Sequence, residues 1–355
     1  MNFLKNSKEK MIKSIFLNWY KKNKRDLPWR KLKRNKLPNP YYIFISEYML
    51  QQTTVGTVKS RFEEFILKWP SIEVLAKISE STILSFWSGL GYYSRATNLL
   101  KAIKIIEKNF NSQIPDNYED LILLPGIGEY TAKAIMGIAY NQAVMPLDAN
   151  IERILARIYG FQLPLIKIKS ELKEKSNLFI SKNHSTNLIQ AFMDYGSSIC
   201  LPRNPDCINC LIKSNCISYK KNLQNIIPKK IKSKFQKRRK YSRAYIFFNE
   251  HNEILIRKRP SKGMLPSMLE VPNDKWVIDK NKLVYDEIIN KMKNKMLPKG
   301  IVEYSFSHFD LEAEVFYIKV QKNIFKDQKW LKVNNINKVA LPTVMKKIVS
   351  IALAF

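Results

Sequence analysis

Every cysteine of this 355-residue chain falls within 17 residues: Cys200, Cys207, Cys210 and Cys216, spaced C-x6-C-x2-C-x5-C. That arrangement obliges the fold to close one loop around one centre. A catalytic thiol has no need of three sulfur neighbours. Disulfides belong to oxidising compartments. Here Lys5, Lys8 and Lys10 precede no apolar segment with a small-residue cleavage site, so a cytoplasmic chain is expected. A four-thiolate metal centre is therefore expected. Structural zinc takes four thiolates, and the spacing matches neither common ferredoxin pattern, so spacing alone leaves zinc and iron–sulfur both open. The loop Leu201–Asn209 carries Arg203 and is suited to present backbone and charge to phosphates.

Charge narrows the partner. Lys and Arg number 61 against 30 Asp and Glu, a net +31. Such a chain favours polyanions and fast, salt-sensitive association. The lysines are spread along the whole sequence, so part of this is a general drift in composition. No apolar run is long enough to span a bilayer, and no membrane partner is expected.

The first two hundred residues read as helices. Met11, Ile12, Ile15, Phe16 and Trp19 share one face of a helix over 9–24. Leu27-Pro28 breaks it, placing Trp29 and Arg30 on a rigid loop, where an aromatic plane beside a planar cation suits a flat base. A core Trp with a surface Arg is the plainer alternative. Pro38-Asn39-Pro40 then starts a helix over 41–52 in which Glu47 is the lone charge. A carboxylate there is costly unless paired, and burial favours its protonated form, as a general acid requires; a Glu bonded to backbone or to an Arg is equally common. Helical periodicity continues over 61–69, 80–87 and 95–110. Between the last two, Gly89-Leu90-Gly91-Tyr92-Tyr93 makes a tight loop with an aromatic tip, able to wedge between base pairs or to pack as a helix cap.

A helix over 118–124 leads to Leu124-Pro125-Gly126-Ile127-Gly128, just ahead of another helical pattern. Glycines and a helix N-terminus together suit a phosphate. Asp148 follows, readable as an N-cap. Helices are expected over 148–160, 168–182 and 184–199, the last leading to Cys200.

Residues 223–240 lose the hydrophobic period and carry Lys229, Lys230, Lys232, Lys234, Lys237, Arg238, Arg239 and Lys240. They read as a basic interdomain linker able to track a DNA backbone. Beyond them, 244–248, 254–259, 301–306 and 313–320 are β-prone, with helices near 281–293 and 342–353. The chain is thus multidomain: an all-α domain over 1–222, the linker over 223–240, and an α+β domain over 241–355.

Taken together, these residues resemble the helix-hairpin-helix DNA glycosylase superfamily, and within it the adenine DNA glycosylases of the MutY type. The resemblance rests on Pro28-Trp29-Arg30, Ser46-Glu47 with Met49 to Thr53, Gly89 to Tyr93, Leu124 to Gly128, Leu147-Asp148 with Asn150, and the cysteine spacing. It spans nearly the whole chain. It implies a helix-hairpin-helix over about 118–140 and a [4Fe–4S] cluster on Cys200, Cys207, Cys210 and Cys216 in the loop 200–216. It also implies a Nudix-like 8-oxoguanine recognition domain over 241–355.

The implied reaction is base-excision repair on double-stranded DNA carrying 8-oxoguanine·A or G·A, by a monomer that hydrolyses the N-glycosidic bond of adenine and leaves an abasic site. The implied catalytic residues are Glu47 as acid, Asp148 as electrostatic partner, and Tyr130 and Asn150 as orienting groups. Leu27, Trp29, Arg30, Leu50 and Gln190 would line the adenine pocket; Gln190 stands where some relatives carry Glu. Gln52, Thr53, Tyr92, Gly126 and Gly128 would bind DNA. Phe306, Ser307 and His308 would recognise 8-oxoguanine. The hydrolase motif of Nudix enzymes is missing, and Glu270 near Gly263 is no substitute, which implies a reader without pyrophosphatase activity.

Two rivals remain at this point: a bifunctional glycosylase/lyase of the endonuclease III type, and a non-catalytic iron–sulfur DNA-binding redox sensor. The lyases place a lysine where this chain has Tyr130, and Lys133 is out of register. Tyr130→Lys should therefore give a covalent DNA adduct trappable with borohydride. Absence of any adduct would contradict the register.

Overall fold

The structure, a computed structural model, describes residues 7–32, 37–229, 237–260, 262–285, 287–321, 325 and 328–354. Along the chain run helices α1 (Ser7–Asn23), α2 (Pro40–Leu50), α3 (Val55–Lys68), α4 (Ile72–Ala76), α5 (Glu80–Phe86) and α6 (Ser94–Asn109). Then come α7 (Tyr118–Leu123), α8 (Glu129–Ala139), α9 (Ala149–Tyr159), α10 (Lys169–Asn177), α11 (Ser185–Ser198) and α12 (Ile217–Lys220). Mixed structure follows: β1 (Arg238–Phe248), β2 (Glu253–Lys258), β3 (Leu269–Glu270), α13 (Glu287–Lys291), β4 (Leu297–Ser305), β5 (Phe309–Lys319), β6 (Lys329–Lys332) and α14 (Thr343–Leu353). No helix among the described residues is long and apolar enough to cross a membrane.

The chain divides into two compact units, 1–77 with 98–232, and 78–97 with 233–355. The short segment 78–97, which carries the Gly89–Tyr93 loop, thus groups with the mixed unit, not with the helices that flank it in sequence.

In the helical unit, α1 is amphipathic and lays Ile12 and Phe16 against α11. Phe16 meets Phe192 and Tyr195 at centroid distances of 4.4 and 4.7 Å, the second pair edge-on, an arrangement aromatic quadrupoles favour. Helix α2 is apolar on nearly every side, and Ile43, Phe44, Ile45, Tyr48 and Met49 are all buried. A helix with so little polar surface must sit inside the domain. Asn39 caps its start by accepting the Tyr41 N–H, and Pro40 fits the first turn. Packing between α11 and its neighbours is close enough to need glycine. A Cβ on Gly196 would lie 2.6 Å from Asn150 Cβ, and one on Gly137 would lie 2.3 Å from Ile189 Cδ1.

In the mixed unit the sheet order is β3-β2-β1-β5-β4, with β6 on β2; β1 and β5 are parallel and the other pairs antiparallel. Period-2 alternation along β1 sends Ala244 and Ile246 to the face covered by α14, where Leu341, Val344, Met345 and Ile348 are buried. Tyr245 and Phe247 go to the opposite face with Leu255, Ile289 and Ile318.

Several boundaries differ from the sequence reading. Strand β1 starts at Arg238, inside the expected linker, because it pairs with β5 from Phe309 onward. The charges there are answered locally: Arg239 meets Glu312 at 3.1 Å, and Lys240 lies over the Phe309 ring. Residues 223–229 pack on the helical unit, with Arg157 Nε donating to Ile227 O. Linker residues 230–236, with Lys230, Lys232 and Lys234, lie outside the described residues. The helix expected over 168–182 ends at Asn177. The one near 281–293 is reduced to α13 between two 3-10 turns; among its described residues only Ile289 is buried, so little apolar face holds it to the sheet. Gly196→Ala should destabilise the chain by about 1–3 kcal/mol, the usual cost of overpacking. A thermal melt indistinguishable from the parent's would contradict this close approach.

Candidate active site and thiolate centre

Three polar side chains from three helices meet in the helical unit. Glu47 is carried by apolar α2, and its side chain is buried. Burial pushes its carboxyl up to about 7, and the negative charge of Asp148 adds to the rise. Tyr130, in the first turn of α8, hydrogen-bonds to it, and Arg30 opposes the shift more weakly. Burial also raises the Tyr130 hydroxyl well above its ordinary range, so it stays a donor. The shift at Glu47 corresponds to about 3 kcal/mol between its two protonation states.

Asp148 is the N-cap of α9 and accepts the Ile151 N–H at 2.7 Å. Asn150 Nδ2 donates to its other oxygen at 2.8 Å. Burial raises the Asp148 carboxyl, while these bonds and the Arg153 charge resist the rise. The two carboxyls are therefore treated differently. Asp148 has a cap, an amide and a helix N-terminus favouring its anion; Glu47 has little beyond Tyr130. Asn150 is in turn fixed by Arg153, whose Nη2 donates to Asn150 Oδ1 at 2.8 Å and to Gly196 O at 2.6 Å. Arg153 Nε donates to Cys200 O at 2.8 Å.

The residues expected around a base pocket are placed as follows. Leu27 and Trp29 are buried, with Trp29 edge-on to Phe62, and Leu50 is half-buried at the end of α2. Arg30 is not a free cation beside Trp29: its guanidinium makes a two-pronged pair with Asp194, at 2.7 and 2.8 Å. Arg25 Nε joins the same carboxylate at 2.6 Å. Desolvation, the largest single effect, pushes the buried Asp194 carboxyl up, but the Arg30 and Arg25 contacts together outweigh it and hold the group below its ordinary range. Gln190, one turn earlier on α11, is 3% exposed. Its Nε2 donates to Thr186 O, and its Oε1 is buried with no hydrogen-bond partner among the described residues.

The hairpin between α7 and α8 exposes Gly126 and Gly128. Gly126 has φ +84°, which only glycine adopts freely. Gly128 is the N-cap of α8 with no side-chain cap, leaving first-turn N–H groups for an outside acceptor. The α2 helix ends in a turn where Gln52 is exposed at φ +59° and Thr53 N–H donates to Leu50 O.

In the mixed unit, Tyr92 sits at φ +46° between loop carbonyls gripped by Arg95, which donates to Leu90 O and Gly91 O at 2.9 and 3.0 Å. The Tyr92 hydroxyl shares a 2.5 Å hydrogen bond with Ser307 Oγ. Phe306 packs between Tyr304, Trp276 and Phe309, leaving Ser307 and His308 exposed at the turn. A cavity of about 420 Å³ lies among the 89–94, 263–266 and 304–308 loops and the start of α14. That volume is in the range of small-ligand sites.

The four cysteines line one cavity. Arg157 Nη1 donates to Cys200 Sγ at 3.2 Å and to Leu201 O at 2.7 Å. The Tyr195 hydroxyl donates to Cys210 Sγ at 3.4 Å. Among the described residues, no three His, Cys, Asp or Glu side chains converge on a site for one metal ion. Donors aimed at sulfur suit thiolates that carry charge.

Sequence reasoning gave no role to Asp194, Arg153 or Arg157. Two arginines four apart on one helix, behind Asp148 and ahead of the cysteines, were the available signal. Their partners are mostly backbone carbonyls, and no side-chain pattern announces those.

Several known proteins are similar to this chain. Residues 45–177 match the HhH-GPD superfamily of base excision DNA repair proteins, and residues 243–350 match the NUDIX domain. The adenine DNA glycosylase of Buchnera aphidicola subsp. Baizongia pistaciae is 35% identical over 94% of this chain and 94% of its own length. The human adenine DNA glycosylase is 26% identical over 95% of this chain and 73% of its own. A solved thermostable thymine-DNA glycosylase superposes with a TM-score of 0.55 at 28% identity, covering 61% of this chain and 98% of that one. By these similarities, over nearly its whole length, the chain belongs to the adenine DNA glycosylase family.

Proposed function

We propose that this chain is a monofunctional glycosylase that binds double-stranded DNA as a monomer and removes adenine opposite 8-oxoguanine or guanine, leaving an abasic site. The observation that carries the proposal is the unlike pair of carboxyls: Glu47, raised to about 7, and Asp148, held at a helix N-terminus by hydrogen bonds. A glycosylase must take its base out of the stack. Gln52 and, in the mixed unit, Tyr92 each stand at an exposed, left-handed position suited to entering an opened stack, and Thr53 follows Gln52, half-buried, in the same turn. Gly126 and Gly128 grip a phosphate through backbone N–H groups. Leu27, Trp29, Leu50 and Gln190 receive the flipped adenine, with the unpaired Gln190 Oε1 accepting from an amino group. Arg30 acts by fixing the Trp29 loop to Asp194.

In the reaction, Glu47 gives its proton to an adenine ring nitrogen, and the base departs with the bonding electrons. The sugar gains oxocarbenium character, which the Asp148 anion stabilises. Glu47, now ionised, takes a proton from the attacking water, while Tyr130 and Asn150 hold the two carboxyls in place. Without a lysine at position 130 no covalent sugar adduct forms, which separates this reading from a lyase.

We assign Cys200, Cys207, Cys210 and Cys216 to a [4Fe–4S] cluster rather than to zinc. The spacing C-x6-C-x2-C-x5-C is the one that the family resemblance ties to this cluster, and the donors that Arg157 and Tyr195 aim at Cys200 and Cys210 suit the sulfurs of a charged centre. When bound, the cluster supplies a rigid anchor for the 201–209 loop. Ser307 and His308, beside Tyr92, would read 8-oxoguanine from the mixed unit.

Incubation with an 8-oxoguanine·A duplex followed by alkali tests this reading. Cleavage of the adenine strand only after alkali is expected; cleavage without alkali indicates a lyase, and none at all a non-catalytic binder. Glu47→Gln should abolish single-turnover adenine release while preserving duplex binding. In the parent chain the rate should fall about tenfold per pH unit above about 7, as the acid loses its proton. The linked stability has a definite sign. The raised carboxyl stabilises the fold fully below its unfolded value of 4.5, and that contribution is lost as pH rises through about 7. Glu47→Gln should therefore melt higher than the parent at about pH 8, with the difference vanishing at about pH 4. Equal melting at both pH values would contradict burial of an ionising Glu47. Ser307→Ala should narrow the preference for 8-oxoguanine·A over G·A; an unchanged rate ratio would remove Ser307 from recognition.

A further inference from the structure

We infer that Tyr48 is a positioning residue for DNA binding: its buried hydroxyl sets the hairpin at Gly126 so that a backbone N–H faces a phosphate. The inference rests on the reading of that hairpin as a phosphate grip. Tyr48 is fully buried on α2, next to Glu47, and its hydroxyl donates to the carbonyl of Pro125. Burial raises the hydroxyl above its ordinary range, so it remains a donor across the working pH range.

The geometry of a trans peptide gives that bond its consequence. C=O and N–H of one peptide unit point in opposite directions. The Pro125 carbonyl shares its unit with the Gly126 N–H. Drawing the carbonyl inward to Tyr48 turns the Gly126 N–H outward, at a residue that is exposed. A second strut fixes the next unit. Gln51 Nε2 donates to Gly126 O at 3.3 Å, which turns the Ile127 N–H back to Leu124 O, at 3.1 Å. Gly126 itself lies directly on the tyrosine: a Cβ there would sit 3.0 Å from Tyr48 Cε1 and 3.0 Å from Asn98 Cβ, on top of the strain of φ +84°. Ring and hydroxyl of one side chain therefore set both the height and the rotation of the hairpin tip. The same helix carries Glu47, so α2 holds the phosphate grip and the proposed acid in one frame.

Tyr48→Phe keeps the ring and removes the donor. The test is equilibrium binding of the full chain, with its cluster, to a fully paired duplex and to an 8-oxoguanine·A duplex across a range of salt. Glycine-15N labelling follows the Gly126 amide in the same complexes. A backbone N–H is neutral and releases no counterion, so the dependence of affinity on salt stays as in the parent. The inference predicts an affinity about tenfold weaker on both duplexes, and loss of the downfield shift that DNA binding gives the Gly126 amide proton in the parent. Parent-like affinity and a parent-like Gly126 shift, whatever the change in melting, show that Tyr48 only packs the core, and overturn the inference. If Tyr48→Phe does not fold, Gln51→Leu, which frees the Gly126 carbonyl, must show the weaker affinity and the lost shift instead; parent-like values there overturn it equally. Because a paired duplex suffices for this binding, failure to excise adenine would count against the proposed function and not against this inference.

Discussion

The site depends on a carboxyl buried where a charge is expensive. Glu47 sits on a helix whose other buried residues carry no charge, and desolvation outweighs every contact it makes. An ionised carboxylate in such a place would cost several kcal/mol unless paired. The fold offers it a hydroxyl instead of a cation: the guanidinium whose charge reaches it, that of Arg30, is committed to Asp194. This division of partners makes Glu47 an acid near neutral pH. Had Arg30 turned toward Glu47, the carboxyl would be an ordinary buried ion pair.

The rest of the helical unit keeps that arrangement rigid. Asp194 gathers Arg25 and Arg30 and so fixes the loop before α2. Arg153 ties Asn150, and through it Asp148, to the backbone at Gly196 and Cys200. Arg157, one turn on, binds the Cys200 sulfur and the Leu201 carbonyl. A chain of charge-assisted hydrogen bonds thus runs from the candidate carboxylate to the cysteine loop. Such networks hold geometry well when every member is satisfied.

Much of this was legible in the sequence because it is local. The helices follow from periodicity, the α9 cap from Asp148, and the hairpin from two glycines, of which Gly126 takes a φ that only glycine adopts freely. Glu47 stood out as one charge in an apolar run. What escaped was non-local. Nothing near Arg30 in sequence points to Asp194, 164 positions away. The start of β1 inside a lysine-rich stretch follows from its pairing with β5, which no local propensity reports. The grouping of 78–97 with the mixed unit is a matter of tertiary contacts alone. Tyr48 carries no signal in the sequence beyond its place in the helix over 41–52, and its hydroxyl acquires meaning only with Pro125 opposite.

All of the proposed chemistry requires Glu47 to carry a proton at neutral pH. Carbon-13 NMR of glutamate-labelled protein measures this directly, with the Glu47 carboxyl resonance assigned by its loss in the Glu47→Gln variant. The resonance is predicted to titrate near 7. A midpoint at the ordinary glutamate value of about 4.3 would contradict it.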